Sequence, residues 1–318
     1  MLTLPFFDEL KDSQTILLAG AGGGFDIFSG LPLYFGLRAA GKTVHLANFS
    51  FSFLPPPQIT GEKRLSPSVV KVTSNTPNYT DYFPELYLSK WFKEQGWDVP
   101  VYCFEKTGVL PLIESYQALI KHHALDTIIL VDGGTDSLMR GDESGLGTPY
   151  EDITSILAVD EIRGIKKMLV CLGFGVDAYH GICHAHFLEA VSELIRNKGY
   201  LGLFSLTDDM PEVHEYRKAS DYVFNAMPRD VSIVTSSILS ALEGRYGDYH
   251  VTPRTRNSEL WINPLMSVYW CFQLEEVAKR ILYKEGMKTT TSFIEVMGVI
   301  KQFRNSCQSI RPRQGIPV

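Results

Sequence analysis

Three stretches of the chain each run an apolar strand into glycines and then an aspartate: TILLAGAGGGFD at 15–26, TIILVDGGTD at 127–136 and KMLVCLGFGVD at 167–177. In a parallel α/β sheet the loops that follow the strands leave at one edge, and ligands bind in the crevice there. Glycine lets the backbone turn sharply and lets a ligand come close to it. The pattern therefore predicts that Asp26, Asp136 and Asp177 face one crevice, joined by Asp132 at the end of the second strand. A pocket built that way is lined with carboxylates.

The rest of the chain fits a doubly wound, mostly parallel Rossmann-like sheet with helices on both faces. The spacing predicts a strand over 15–21, a helix over 27–40 closed by Gly41, and a strand over 43–49 whose end carries Asn48 to the ligand edge. Pro55, Pro56 and Pro57 then break the pattern. Residues 55–98, with a short strand at 69–72 and a helix at 84–95, read as a cap or lid over the site, or equally as an insertion serving a homo-oligomer. Strand and helix then alternate: strands at 99–104, 127–131, 167–172, 200–206 and 222–225, with helices at 109–122, 148–158, 178–197 and 231–243. The segment 264–284 reads as an amphipathic helix and 292–303 as another, giving a C-terminal helical extension over 264–318 on a single α/β domain.

The first glycine loop is not a dinucleotide fingerprint. GxGxxG would require glycine at 20, 22 and 25, and position 25 is Phe25. Asp26 stands where a pyrophosphate would sit and would repel it, and the loop lacks the GK[ST] of a P-loop. No conventional NAD site is expected. Gly22, Gly23, Gly24 and Asp26 are instead expected to bind the ligand directly, with Asn48.

The second loop, 132–152, holds six acids, five glycines and one arginine. Acids clustered so closely need a cation, a hydroxyl-rich ligand or raised pKa values. Gly133, Gly134, Thr135 and Glu143 join the expected ligand-binding set, whereas Thr148, Pro149 and Glu151 read as a capping box that makes Glu151 and Asp152 structural. After the third loop, His180 and His184 fall on one stripe of a helix over 178–197. Asp132, Asp136, Asp177 and His184 are then a candidate set for a divalent metal (Mg, Mn or Zn), and His180 with Asp136 and Asp177 a candidate acid–base group. The same histidines also suit plain hydrogen bonding at a helix start. Arg254 and Arg256 beside Trp261 suit an anionic ligand group.

Composition bounds the function. A net charge of −6 with no long basic run argues against nucleic acid as a partner, and the basic stretch 304–313 reads as a frayed, solvated terminus. No segment reaches 18 uninterrupted apolar residues, so no membrane span is expected. Five cysteines without CxxC pairing fit a reducing cytoplasm.

Taken together, AGAGGGFDIFSGLP, VDGGTDSLMRGDESGLGTPYED and LGFGVDAYHG resemble a widespread prokaryotic family known as domain of unknown function 1152, over roughly 17–261. The resemblance implies an α/β Rossmann-like fold and brings no activity with it. The residues themselves suggest a hydrolase or lyase acting on a hydroxyl-rich small molecule (a nucleoside, nucleotide or sugar derivative), metal-assisted through the acids. The alternative is a non-catalytic sensor binding a nucleotide or metabolite in the same crevice.

Overall fold

The computed structural model describes residues 3–56 and 64–316. Its centre is an eight-stranded sheet. The strands are β1 (Thr15–Gly20), β2 (Thr43–Phe49), β3 (Val69–Val72), β4 (Val101–Phe104), β5 (Thr127–Gly133), β6 (Lys166–Leu172), β7 (Tyr200–Ser205) and, after a two-residue ladder of β8 (Gly247–Asp248) with β9 (Trp261–Ile262), β10 (Val268–Gln273). They lie in the order β3-β4-β2-β1-β5-β6-β10-β7. Strands β4, β2, β1, β5 and β6 pair parallel, while β3 is antiparallel at one edge and β10 is antiparallel between β6 and β7.

Alternation along each strand divides the core in two. Leu17, Ala19, Ile128 and Leu130 face one layer of helices, and Ile16, Leu18, Ile129 and Val131 face the other. A strand buried on both sides has to be apolar at every position, which is why β1, β5 and β6 read as near-continuous apolar runs. From β1 the chain first builds outward through β2 and β4, then returns to the other side of β1 with β5 and β6. The order therefore reverses between β1 and β5. That reversal opens the crevice, and the first two glycine–aspartate loops flank it.

Several sequence expectations need correction. Residues 222–225 are the last turns of the helix Pro211–Ala226, whose Tyr216, Ala219 and Val223 recur at helical spacing on a buried face. The segment 264–284 is not one helix: Val268–Gln273 is β10, and only Leu274–Arg280 is helical. Trp270 and Phe272 enter one core, Tyr269 and Cys271 the other, so this strand has no polar face to give a period of two. The C-terminal extension is therefore partly sheet. Gly181, at φ +87°, separates a 3₁₀ turn, Val176–His180, from the helix His184–Arg196. In the segment expected to cap the site, Val69–Val72 is the sheet edge and Pro84–Glu94 packs on a sheet face through Leu86, Leu88 and Phe92. Residues 57–63 of that segment lie outside the described residues.

The basic tail is pinned, not frayed. Arg304 donates to the carbonyls of Gly141 and Glu143, and Arg311 pairs with Asp142, Glu143 and Glu189. No helix among the described residues is long and apolar enough to cross a membrane.

Candidate functional site

Where β1 and β5 part, the loops enclose a cavity of about 410 Å³. That volume is within the range of small-molecule sites. Asp26 begins the short helix Asp26–Ser29 after the first glycine loop, and Asp132 is the next-to-last residue of β5. Asp136 opens a 3₁₀ turn in the second loop, and Asp177 lies in the 3₁₀ turn of the third. Asp152 comes from the first turn of Pro149–Asp160, the crossover helix between β5 and β6. All five line the cavity, and Asp132, Asp136, Asp152 and Asp177 are buried. The expected convergence of Asp26, Asp132, Asp136 and Asp177 is observed, and Asp152 was missed.

Glycine makes this crowding possible by leaving room for oxygen. A Cβ on Gly22 would stand 2.6 and 2.7 Å from the two oxygens of Asp152 and 2.8 Å from Asp26 Oδ2. On Gly133 it would meet Asp26 Oδ1 at 2.9 Å, and on Gly134 Asp177 Oδ2 at 2.5 Å. On Gly147 it would overlap Asp136 Oδ2. The glycines of the sequence motif thus accommodate carboxylates more than they cradle a phosphate.

The acids divide into two groups. Asp136 Oδ2 accepts hydrogen bonds from the Thr148 backbone N–H at 2.7 Å and its hydroxyl at 3.2 Å. Asp177 Oδ2 accepts from the Thr135 N–H at 2.6 Å and its hydroxyl at 3.3 Å. Each is held by one oxygen. Asp26, Asp132 and Asp152 form the second group, with one carboxylate oxygen from each lying within 4.8 Å of the others. Ligands on opposite sides of a Mg²⁺ or Ca²⁺ ion, bonded at 2.1–2.4 Å, stand roughly 4–5 Å apart. Asp26 Oδ2 accepts from the Gly22 N–H at 2.6 Å, and Asp132 Oδ2 accepts from the Ser137 hydroxyl at 2.5 Å. Asp152 Oδ1 is buried and has no hydrogen-bond partner.

A buried, unpaired carboxylate oxygen is costly. Burial raises the pKa of all five acids, and their mutual repulsion adds to it for Asp26, Asp132, Asp152 and Asp177. Burial and then the charge of Asp136 push Asp132 up to about 7. Asp26 is raised well above the ordinary carboxylate range by burial and then by Asp132. Asp152 and Asp177 are raised well above it by burial, then by Asp136 and Asp132. Burial also raises Asp136, against the bonds from Thr148. A divalent cation among these oxygens would reverse the logic, since it favours the ionised form of each. The donor set, all carboxylate oxygen, suits a hard cation such as Mg²⁺ or Mn²⁺ better than a soft one.

His180 lines the cavity beside this cluster. Burial lowers its pKa, which the charge of Asp136 opposes, so its ring is neutral at pH 7 and can accept a proton. Lys106 enters from the loop after β4, 3.2 Å from Glu151 and over the rings of Phe51 and Phe293. Arg254 also lines the cavity and donates to the Val231 carbonyl.

Other expected residues sit elsewhere. His184 is separated from His180 by Gly181; its ring packs 5.2 Å from Phe174, and it does not line the cavity with the acids it was expected to join. Glu143 accepts from the Arg140 and Gly141 N–H groups at 3.0 and 2.8 Å and pairs with Arg311, which makes it the anchor of the C-terminal tail. Arg256 is exposed and outside the cavity lining. Asn48 does not line it either; its amide donates to Gly24 O and Glu85, both at 2.8 Å, and braces the glycine loop from behind. Gly134 and Thr135 do not line the cavity; Thr135 holds Asp177 and Gly134 leaves room for its carboxylate. Thr148 spends its donors on Asp136 and makes no side-chain cap, so the expected capping box is absent. Glu151 and Asp152, expected to be structural, both line the cavity. Of residues 55–98, Tyr82 is the only one among the described residues that does.

A family model described as "Protein of unknown function (DUF1152)" matches residues 17–304. No curated protein and no solved structure matches the chain.

Proposed function

The chain belongs to the DUF1152 family, and from the site it carries we propose a metal-assisted hydrolase or lyase acting on a hydroxyl-rich small molecule such as a nucleoside, nucleotide or sugar derivative. The observation that carries this reading is the trio Asp26, Asp132 and Asp152, with oxygens within 4.8 Å of one another and Asp152 Oδ1 buried without a partner. These residues would hold the cation. Bound there, it would polarise a substrate oxygen or lower the pKa of a water molecule.

The chain's own groups do the rest. Asp136 and Asp177 are each fixed through one oxygen by a threonine, which leaves the other to accept a hydrogen bond from a substrate hydroxyl. His180, neutral at pH 7, moves the proton to or from the reacting oxygen. The expected localisation in a reducing cytoplasm accords with cysteines that are all free thiols.

Turnover of a panel of nucleosides, nucleotides and sugar phosphates, each with Mg²⁺, Mn²⁺ or Zn²⁺, tests the proposal. Asp136→Asn should abolish turnover of the accepted substrate and leave its binding measurable. Metal-dependent binding without turnover of any compound would replace the enzyme reading with the sensor reading.

A further inference from the structure

The cavity carries more than an acidic floor. Lys106 Nζ sits 4.4 Å from the centroid of Phe51 and 5.0 Å from that of Phe293, so two ring faces restrict the ammonium at the rim. Arg254 lines the same cavity. Its only ion-range contact among the described residues is the bond to the Val231 carbonyl, and no carboxylate pairs with it. A guanidinium has five donors, so most of them face solvent or the cavity. Tyr82 and Tyr179 line the same cavity as Arg254 and Asp26. Phe51 lies flat against the glycine loop, its ring carbons 3.0 and 3.1 Å from where Cβ atoms of Gly23 and Gly24 would be, and it remains half exposed at the mouth.

We infer that the substrate is a nucleotide, with its phosphate held by Arg254 and Lys106 above the metal-binding acids and its base against the aromatic wall. This rests on the reading of Asp26, Asp132 and Asp152 as the cation site. A neutral sugar would use the carboxylates but leave Arg254 without an anionic partner, while Lys106 kept only its pair with Glu151. A bare phosphate or a sugar phosphate would use the cations and leave the rings of Tyr82 and Tyr179 uncovered. A ring-bearing phosphate uses the floor, the rim and the wall together. The metal and the two side-chain cations can share one phosphate, because charge-assisted bonds from arginine and lysine supplement inner-sphere ligation. Bases of any identity stack on aromatic rings, so the inference names the class and not the base.

Isothermal titration of the full-length protein with Mn²⁺ present tests this, using AMP, GMP, CMP and UMP, their nucleosides, and ribose 5-phosphate as probes. At least one nucleotide should bind about tenfold more tightly than both its nucleoside and ribose 5-phosphate. Arg254→Ala should weaken that nucleotide and ribose 5-phosphate by about tenfold and leave the nucleoside and Mn²⁺ affinities unchanged. Lys106→Ala, at a half-exposed position, gives a second readout in the same direction should Arg254→Ala disturb the Val231 loop. The inference is overturned if no nucleotide outbinds ribose 5-phosphate, or if both variants bind nucleotide as the wild type does. Titration with Mn²⁺ alone reports on the cation site separately. Nucleotide binding that depends on Arg254 without any Mn²⁺ binding would sink the metal reading and overturn the placement of the phosphate above a cation, leaving only the contacts with Arg254 and Lys106.

Discussion

Replacing Asp132 with Asn should raise the stability of the metal-free protein at high pH and leave it unchanged at low pH. Asp132 is buried, and its pKa moves from an ordinary 3.8 to about 7 on folding. The folded chain therefore holds a proton that the unfolded chain releases. Stability from this group is present below the unfolded pKa and is lost as pH rises through the folded value. The difference between 3.8 and about 7 corresponds to about 4 kcal/mol at 25 °C. For 318 residues, an unfolding entropy of about 2.1 cal/mol/K each converts that to roughly 6 °C in Tm. The amide can still accept from Ser137, so the variant resembles the protonated acid in shape and bonding. In thermal melts with a chelator present, wild type and Asp132→Asn should lie within about 2 °C of each other near pH 4.5, and the variant should melt about 6 °C higher at pH 8. Excess Mn²⁺ should then reverse the order. Equal melting at both pH values, or a variant less stable at both, would refute the electrostatic reasoning.

Three further outcomes follow from named contacts. Gly22→Ala puts a Cβ 2.6–2.8 Å from Asp152 and Asp26 at a position where φ is not positive, so it should keep the circular dichroism of the wild type while weakening Mn²⁺ binding at least tenfold by titration. Arg311→Ala leaves buried Glu143 without its guanidinium and frees the tail; chemical denaturation should show a loss of about 3 kcal/mol. At the opposite end of the sheet His123 stacks 3.7 Å from His45, and its pKa falls to about 4 through burial and then the charge of His45. A base with a depressed folded pKa costs stability as pH falls from its unfolded value toward the folded one. His123→Gln should therefore melt higher than wild type near pH 4.5 and no higher at pH 7.5.

The sheet and its ligand edge were legible because each βα loop carries its own signal: an apolar run, glycines, then an acid. Asp26, Asp132, Asp136 and Asp177 could be placed from that signal together with the common direction of parallel strands. Asp152 could not, since an acid in the first turn of a helix ordinarily serves the helix dipole, and only three dimensions bring that turn under Gly22. The available clue was topological: the crossover helix after β5 must start at the same edge where β5 ends. His184 went astray for the complementary reason. Helical periodicity was extended across Gly181, whose left-handed conformation ends the turn. Strand β10 was hidden by its burial on both faces, which erases the period that separates strand from helix. Glu143 and the tail arginines were misjudged because an ion pair between residues far apart in sequence leaves no local pattern.

Anomalous diffraction from crystals grown with Mn²⁺ tests the central claim most directly. The account predicts a peak ligated by oxygens of Asp26, Asp132 and Asp152, present in the wild type and lost in Asp152→Asn. A cavity with no peak at saturating Mn²⁺, or a peak that survives the loss of Asp152, would contradict it.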